Sequence, residues 1–187
     1  MKPVDLDEIR RVREEADCLC DATEVDAALT RLASDITARL HDKNPLVYTV
    51  MNGGLVLAGR LLPRLPFPLE VGYLHATRYG HALHGTLLDW LVSPTHDLCE
   101  RTVLVLDDIL DEGITLAAIR SRMLESGATA CYTAVFADKA IGKRKPIRAD
   151  FVGITLPNRY VFGYGMDVRG AWRNLPAIYA MRENRPA

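Results

Sequence analysis

Apolar residues recur at steps of three and four near the start of the chain. Leu6, Ile9, Val12, Ala16 and Leu19 form one stripe, and Val25, Leu29, Leu32, Ile36 and Leu40 form another. That spacing predicts two amphipathic helices. The second opens on a capping-box pattern, Thr23 followed three residues later by Asp26. From residue 46 the pattern changes to short, dense apolar runs at 46–51, 69–74, 86–92, 102–106, 130–136 and 151–156, which read as strands. Helix-like segments lie between some of them, at 55–62 after Gly53-Gly54 and at 115–125 before Gly127. Strands alternating with helices predict an α/β domain, a twisted and mainly parallel sheet flanked by helices. The run 86–92 belongs to a hairpin, because 79–85 is too short for a crossover helix. Residues 139–148 hold five basic residues with Gly142 and Pro146 and read as a solvated loop. The remainder, rich in Gly, Pro and aromatics, reads as a small hood. One domain over 1–187 is therefore expected: N-terminal helices at 1–42, a core at 43–156 and the hood at 157–187.

Composition adds exclusions. Apolar residues make up 49% and charged residues 25% of 187, the balance of an ordinary globular domain. With 23 Lys and Arg against 24 Asp and Glu, the net charge of -1 offers no global attraction to nucleic acid or to an anionic membrane, and neither is expected as a partner. Any anionic ligand must be held locally. No stretch approaches the roughly 18 to 20 apolar residues of a membrane span, and residues 1–13 are charged throughout, so a cytoplasmic protein is expected. Cys18, Cys20, Cys99 and Cys131 lack zinc or redox spacing and are expected to be reduced, core-filling residues.

The most informative segment runs from Thr102 to Ile119: an apolar strand, a turn holding Asp107, Asp108, Asp111 and Glu112, then Gly113, Ile114, Thr115 and a helix. In open α/β sheets, ligands bind where a strand's carboxyl end meets the following helix. Gly113 lets the backbone curl closely around a ligand, and the N–H groups from Glu112 to Thr115, with the Thr115 hydroxyl, form a pocket for a phosphate. The adjacent Asp107 and Asp108 carboxylates suit the neighbouring hydroxyls of a sugar or a hydrated Mg²⁺. Together these features fit a sugar carrying a phosphate at one end.

The string Val-Leu-Asp-Asp-Ile-Leu-Asp-Glu-Gly-Ile-Thr resembles the phosphoribosyl pyrophosphate (PRPP) signature of type I phosphoribosyltransferases, and the rest of the chain resembles their hypoxanthine-guanine branch. That resemblance implies the type I phosphoribosyltransferase fold, with a ribose-phosphate site over Asp107, Asp108, Asp111, Glu112, Gly113, Ile114 and Thr115, and with Asp111 as general base at N7 of a purine. Val50-Met51-Asn52-Gly53-Gly54 matches the family's pyrophosphate loop, in which a cis peptide is usual. Asn52 replaces a Lys or Arg there, which removes one cation and leaves the backbone role to Asn52 and Gly53. Arg173 occupies the position that grips pyrophosphate. Thr77-Arg78-Tyr79-Gly80 fits the start of the family's mobile flap, with a short tip at 81–85. His81 and His84 in that tip have no partner at ligand spacing and are expected to be solvated rather than metal-binding.

Lys139 resembles the position that donates to O6 of a 6-oxopurine, a choice that sets a pure donor against a carbonyl. The string from Asn158 to Asp167 matches the base-binding segment: Tyr160 stacks on the purine, the Val161 backbone meets the base edge, and Asp167 joins Asp107 and Asp108 as a Mg²⁺ ligand. Glu112 stands where most relatives have Thr, and its side chain is expected to turn outward toward a basic group. The resemblance implies transfer of the phosphoribosyl group from PRPP to N9 of hypoxanthine or guanine, with Mg²⁺, in a homodimer or homotetramer. A PRPP-binding regulator of the same fold, and a xanthine or adenine phosphoribosyltransferase, are the alternative readings.

Overall fold

The computed structural model describes residues 5–78 and 88–182. The chain opens with α1 (Leu6–Glu14), β1 (Asp17–Cys20) and α2 (Ala22–Leu40). Next come β2 (Leu46–Val50), α3 (Gly54–Leu61), β3 (Glu70–Arg78) and β4 (Leu88–Val92). They are followed by β5 (Thr102–Leu110), α4 (Ile114–Glu125), β6 (Ala130–Ala140) and β7 (Phe151–Pro157), and the described chain ends through β8 (Val161–Phe162) and β9 (Ile178–Ala180). Six strands form one sheet in the order β4-β3-β2-β5-β6-β7, with β4 antiparallel to β3 and the other neighbours parallel. β1, β9 and β8 form a second, antiparallel sheet, the hood.

At its centre the large sheet is covered on both faces, so β2 and β5 are apolar on both sides. On β5, Leu104 and Leu106 pack with Leu29, Leu32 and Ile36 of α2 and Leu57 of α3. The alternate residues Val103 and Val105 pack with Leu116, Ile119 and Met123 of α4. Each such fully buried side chain contributes about 1.5 to 3 kcal/mol. The hairpin expected from 86–92 is present as β3–β4.

Several expectations are corrected. The first helix stops at Glu14, and residues 17–20 leave the helical stripe to pair with β9, where Cys18 faces Tyr179 in register. The hood needs an edge partner, and that pairing overrides the local periodicity of Ala16 and Leu19. The cap of α2 is Asp21 rather than Thr23: its carboxylate accepts from the Thr23 and Glu24 amides, and Glu24 answers to the Asp21 amide. Asp26, set free of capping, instead accepts from Arg60 and Arg64 at 2.7 and 2.6 Å. Of the four cysteines, all free, Cys20 and Cys131 are buried as expected, but Cys18 and Cys99 are exposed. Residues 139–148 are not simply solvated, since Lys139 extends β6 and the Lys145 side chain is 11% exposed. Among the described residues no helix is long and apolar enough to cross a membrane.

Candidate active site

β5 runs further than its apolar run indicates, because β6 stays alongside it as far as the Leu110–Asp138 pair. Asp107 and Asp108 are therefore strand residues at the carboxyl edge of the sheet, and only Asp111 and Glu112 belong to the turn. The Asp108 amide donates to Asp107 Oδ1 at 3.0 Å, and the Ile109 amide to Asp108 Oδ1 at 2.9 Å. Burial pushes the Asp107 carboxyl well above the usual carboxylate range, and the neighbouring Asp108 charge pushes the same way. Burial raises Asp108 too, opposed by its hydrogen bond with Asp107 and by the Arg173 charge.

A cis peptide and two close approaches mark the floor of the site. The Met51–Asn52 peptide is cis. A Cβ placed on Gly53 would stand 2.2 Å from Asp108 Oδ2, and one on Gly165 would stand 2.3 Å from the Gly53 carbonyl oxygen. Gly165 also has φ +102°, a left-handed conformation that favours glycine. The β2–α3 turn, the end of β5 and the hood loop thus meet around the Asp108 carboxylate.

Gly113, at φ +80°, turns the chain into α4, whose first turn has no side-chain cap, so the positive end of the helix faces the loop. Ile114 and Thr115 open that helix. Glu112 pairs with Lys143 at 3.2 Å, the outward turn its sequence position predicts. Asp111 accepts from Lys139 Nζ at 2.7 Å, and the Lys139 side chain is mostly enclosed.

The hood closes the other side. Tyr160 keeps 54% of its surface open, and its hydroxyl donates to the Asp167 carbonyl at 3.4 Å. Val161 is buried on β8. The Asp167 carboxylate accepts from the Gly170 amide at 2.7 Å and pairs with Arg173. Arg173 also donates to the Gly165 carbonyl at 2.6 Å and lies 3.9 Å from Asp108.

Seven of the predicted residues, Asp108, Asp111, Lys139, Tyr160, Val161, Asp167 and Arg173, line one pocket of about 220 Å³. Ile109 and Met166 complete its wall; both are apolar residues beside the acids Asp108 and Asp167, and an apolar side chain carries no chemical signal of its own. Asn52 and Gly53 lie at the floor, and residues 112–115 form the adjoining turn and the start of α4. Asp107 sits beside the pocket without lining it. Arg78 ends β3, while Tyr79 and the tip with His81 and His84 lie outside the described residues.

Comparisons with known proteins give the family and the fold. The phosphoribosyl transferase domain family matches residues 19–169. The bifunctional protein TilS/HprT of Listeria innocua is 32% identical over 164 residues, covering 86% of this chain; the chain spans a quarter of that relative's length. A hypoxanthine-guanine-xanthine phosphoribosyltransferase of Tritrichomonas foetus is 29% identical over 184 residues, 96% of this chain and 95% of the relative. A solved hypoxanthine-guanine-xanthine phosphoribosyltransferase superposes with a TM-score of 0.82 at 27% identity, covering 91% of this chain and 99% of its own.

Proposed function

The chain belongs to the phosphoribosyl transferase family, and we propose that it is a purine-salvage enzyme, transferring the phosphoribosyl group of PRPP to N9 of hypoxanthine or guanine to give IMP or GMP and pyrophosphate. The observation that carries this reading is the Lys139–Asp111 pair, 2.7 Å apart, in the same pocket as the open Tyr160 ring. On a 6-oxopurine, O6 and N7 are neighbours on one edge. An ammonium, which only donates, suits O6, and the carboxylate beside it accepts from N7–H. Adenine sets an amino group against the ammonium, donor to donor, and is selected against.

In this reading Tyr160 stacks on the purine face and the Val161 backbone meets its edge. Asp111 exchanges a proton at N7, which leaves N9 as the attacking atom. Main-chain amides from Glu112 to Thr115 hold the ribose phosphate, and Asn52 and Gly53 offer backbone to the pyrophosphate. Arg173 grips the departing pyrophosphate with its planar fork, exchanging the Asp167 carboxylate for the anion. Carboxylates near the ring oppose the positive charge that grows on the ribose as the bond at C1 breaks.

Mg²⁺ fits the donor set. Asp107 and Asp108 supply hard oxygens, the donor type Mg²⁺ takes together with substrate oxygens and water. Asp107 and Asp108, and Asp167 for a second ion, would hold it, and it would neutralise charge on the pyrophosphate. Self-association as a dimer or tetramer belongs to the same proposal. It is supported by Val71 and Tyr73, which share one exposed face of β3 at 54% and 58% exposure.

The test is an assay with PRPP, Mg²⁺ and hypoxanthine, in which IMP and pyrophosphate appear in equal amounts. Binding of PRPP without pyrophosphate release would make the protein a regulator of the same fold. Faster turnover of xanthine or adenine than of hypoxanthine and guanine would reassign the substrate.

A further inference from the structure

Leu110 and Asp138 are the last register partners of the β5–β6 pair, and the residues that follow them are Asp111 and Lys139. A single ammonium spans this pair: Lys145 Nζ donates to the Leu110 carbonyl at 2.6 Å and to Asp138 Oδ1 at 2.5 Å. The Lys145 side chain is 11% exposed, so both bonds are largely shielded from competing water. The segment around it packs on the phosphate loop as well. A Cβ on Gly113 would meet Ile147 Cγ2 at 3.2 Å and Lys145 Cβ at 3.5 Å. Lys143 reaches Glu112 from the same segment.

We infer that Lys145 is a positioning residue for the purine site: by tying the Leu110 carbonyl to the Asp138 carboxylate, it fixes the spacing of the Asp111 and Lys139 side chains that read the N7 and O6 edge of the base. Lys145 does not line the base pocket and touches no reacting atom. Its action passes through the backbone of the two strand ends. Without the tie, Leu110 loses a charged donor on its carbonyl and Asp138 is left with an uncompensated carboxylate, so the two strand ends are free to separate beyond their last paired residues. A displacement of about 1 Å at a reacting group can cost on the order of 100-fold in rate. The inference rests on the proposed roles of Asp111 and Lys139.

The experiment compares Lys145→Met, which keeps the stem and removes the ammonium, with Lys145→Arg, which keeps a charged donor. Asp138→Asn weakens the same tie from its other end. Lys145→Met is expected to lower kcat/KM for hypoxanthine by about 10- to 100-fold, with a raised KM for the base and a reduced preference for hypoxanthine over adenine. Lys145→Arg is expected to recover most of that loss, and Asp138→Asn to reproduce the Lys145→Met signature in milder form. A general loss of folded protein would lower kcat for every purine and leave KM and the preference unchanged, which overturns the inference. So does a folded Lys145→Met protein with kcat/KM for hypoxanthine within twofold of the parent. Should Lys145→Met not fold, Asp138→Asn carries the decision on the same readouts. Asp111→Asn and Lys139→Ala, run alongside, separate the two levels. Effects in those variants with none at Lys145 remove the tie alone, and the absence of any effect in them removes the reading of the base site.

Discussion

Asp111 is nearly half exposed while its partner Lys139 is enclosed, so the pair presents one wet and one dry end to an incoming base. If Asp111 exchanges the proton at N7, Asp111→Asn keeps the shape and removes the basicity, and kcat is expected to fall by about 10- to 10⁴-fold. Parental turnover in steady-state assays removes Asp111 from that role. Lys139→Ala is expected to cost more with hypoxanthine than with adenine, because only the oxo group loses its donor. Equal losses for both bases would show that Lys139 does not read position 6. Gly165 tests the floor of the site rather than its chemistry. Alanine there combines a left-handed backbone with a Cβ 2.3 Å from the Gly53 carbonyl. The two penalties together predict a destabilisation of about 2 to 5 kcal/mol, read as a lowered thermal midpoint, together with weakened PRPP binding by calorimetry.

At the scale of elements, helix starts are decided by individual oxygen atoms. Asp21 accepts from two amides at the head of α2, and Glu24 closes the box. Asp21→Ala is therefore expected to cost about 1 kcal/mol in chemical denaturation, and Thr23→Ala much less. Asp21 and Thr23 each lie three residues before an acid, Glu24 and Asp26, and the start of the first helical turn at Ala22 selects Asp21 over the expected Thr23. The strand–loop–helix around Asp107 to Thr115 was legible because acids, a glycine and a hydroxyl occur together after an apolar strand, a pattern with few other uses. The hood segment around Tyr160 was legible through its resemblance to the family's base-binding string. What escaped was set by distant partners. β5 gains its last residues from β6, β1 exists only because β9 needs an edge partner, and Lys145 looks like one more solvated base until the strand ends are brought under it. Periodicity reports the face that a residue buries, not the neighbour that claims its backbone.

Across the whole molecule, the two ends of the chain hold the base site together. The hood draws β1 from before α2 and β8 and β9 from after the core, so Tyr160 and Val161 are braced by residues at the other end of the sequence. Arg159 reaches Asp17 at 2.6 Å, Trp172 Nε1 donates to the Ile9 carbonyl at 2.8 Å, and Arg13 donates to the Tyr179 hydroxyl at 2.7 Å while lying over its ring. The PRPP loop, by contrast, grows from β5 and α4 within the central sheet. Cutting the ties should therefore loosen one half of the active site and spare the other. In Asp17→Ala combined with Arg13→Met, which leave the segment around Arg173 intact, each lost bond is worth about 1 kcal/mol, and roughly a factor of five in an equilibrium constant follows for each kilocalorie that reaches the base pocket. The expected outcome is a KM for hypoxanthine raised severalfold with the KM for PRPP nearly unchanged, measured by varying each substrate at saturation of the other. If both constants rise in parallel, the hood and the phosphate loop respond as a single unit, and the division of labour between the two sheets is wrong.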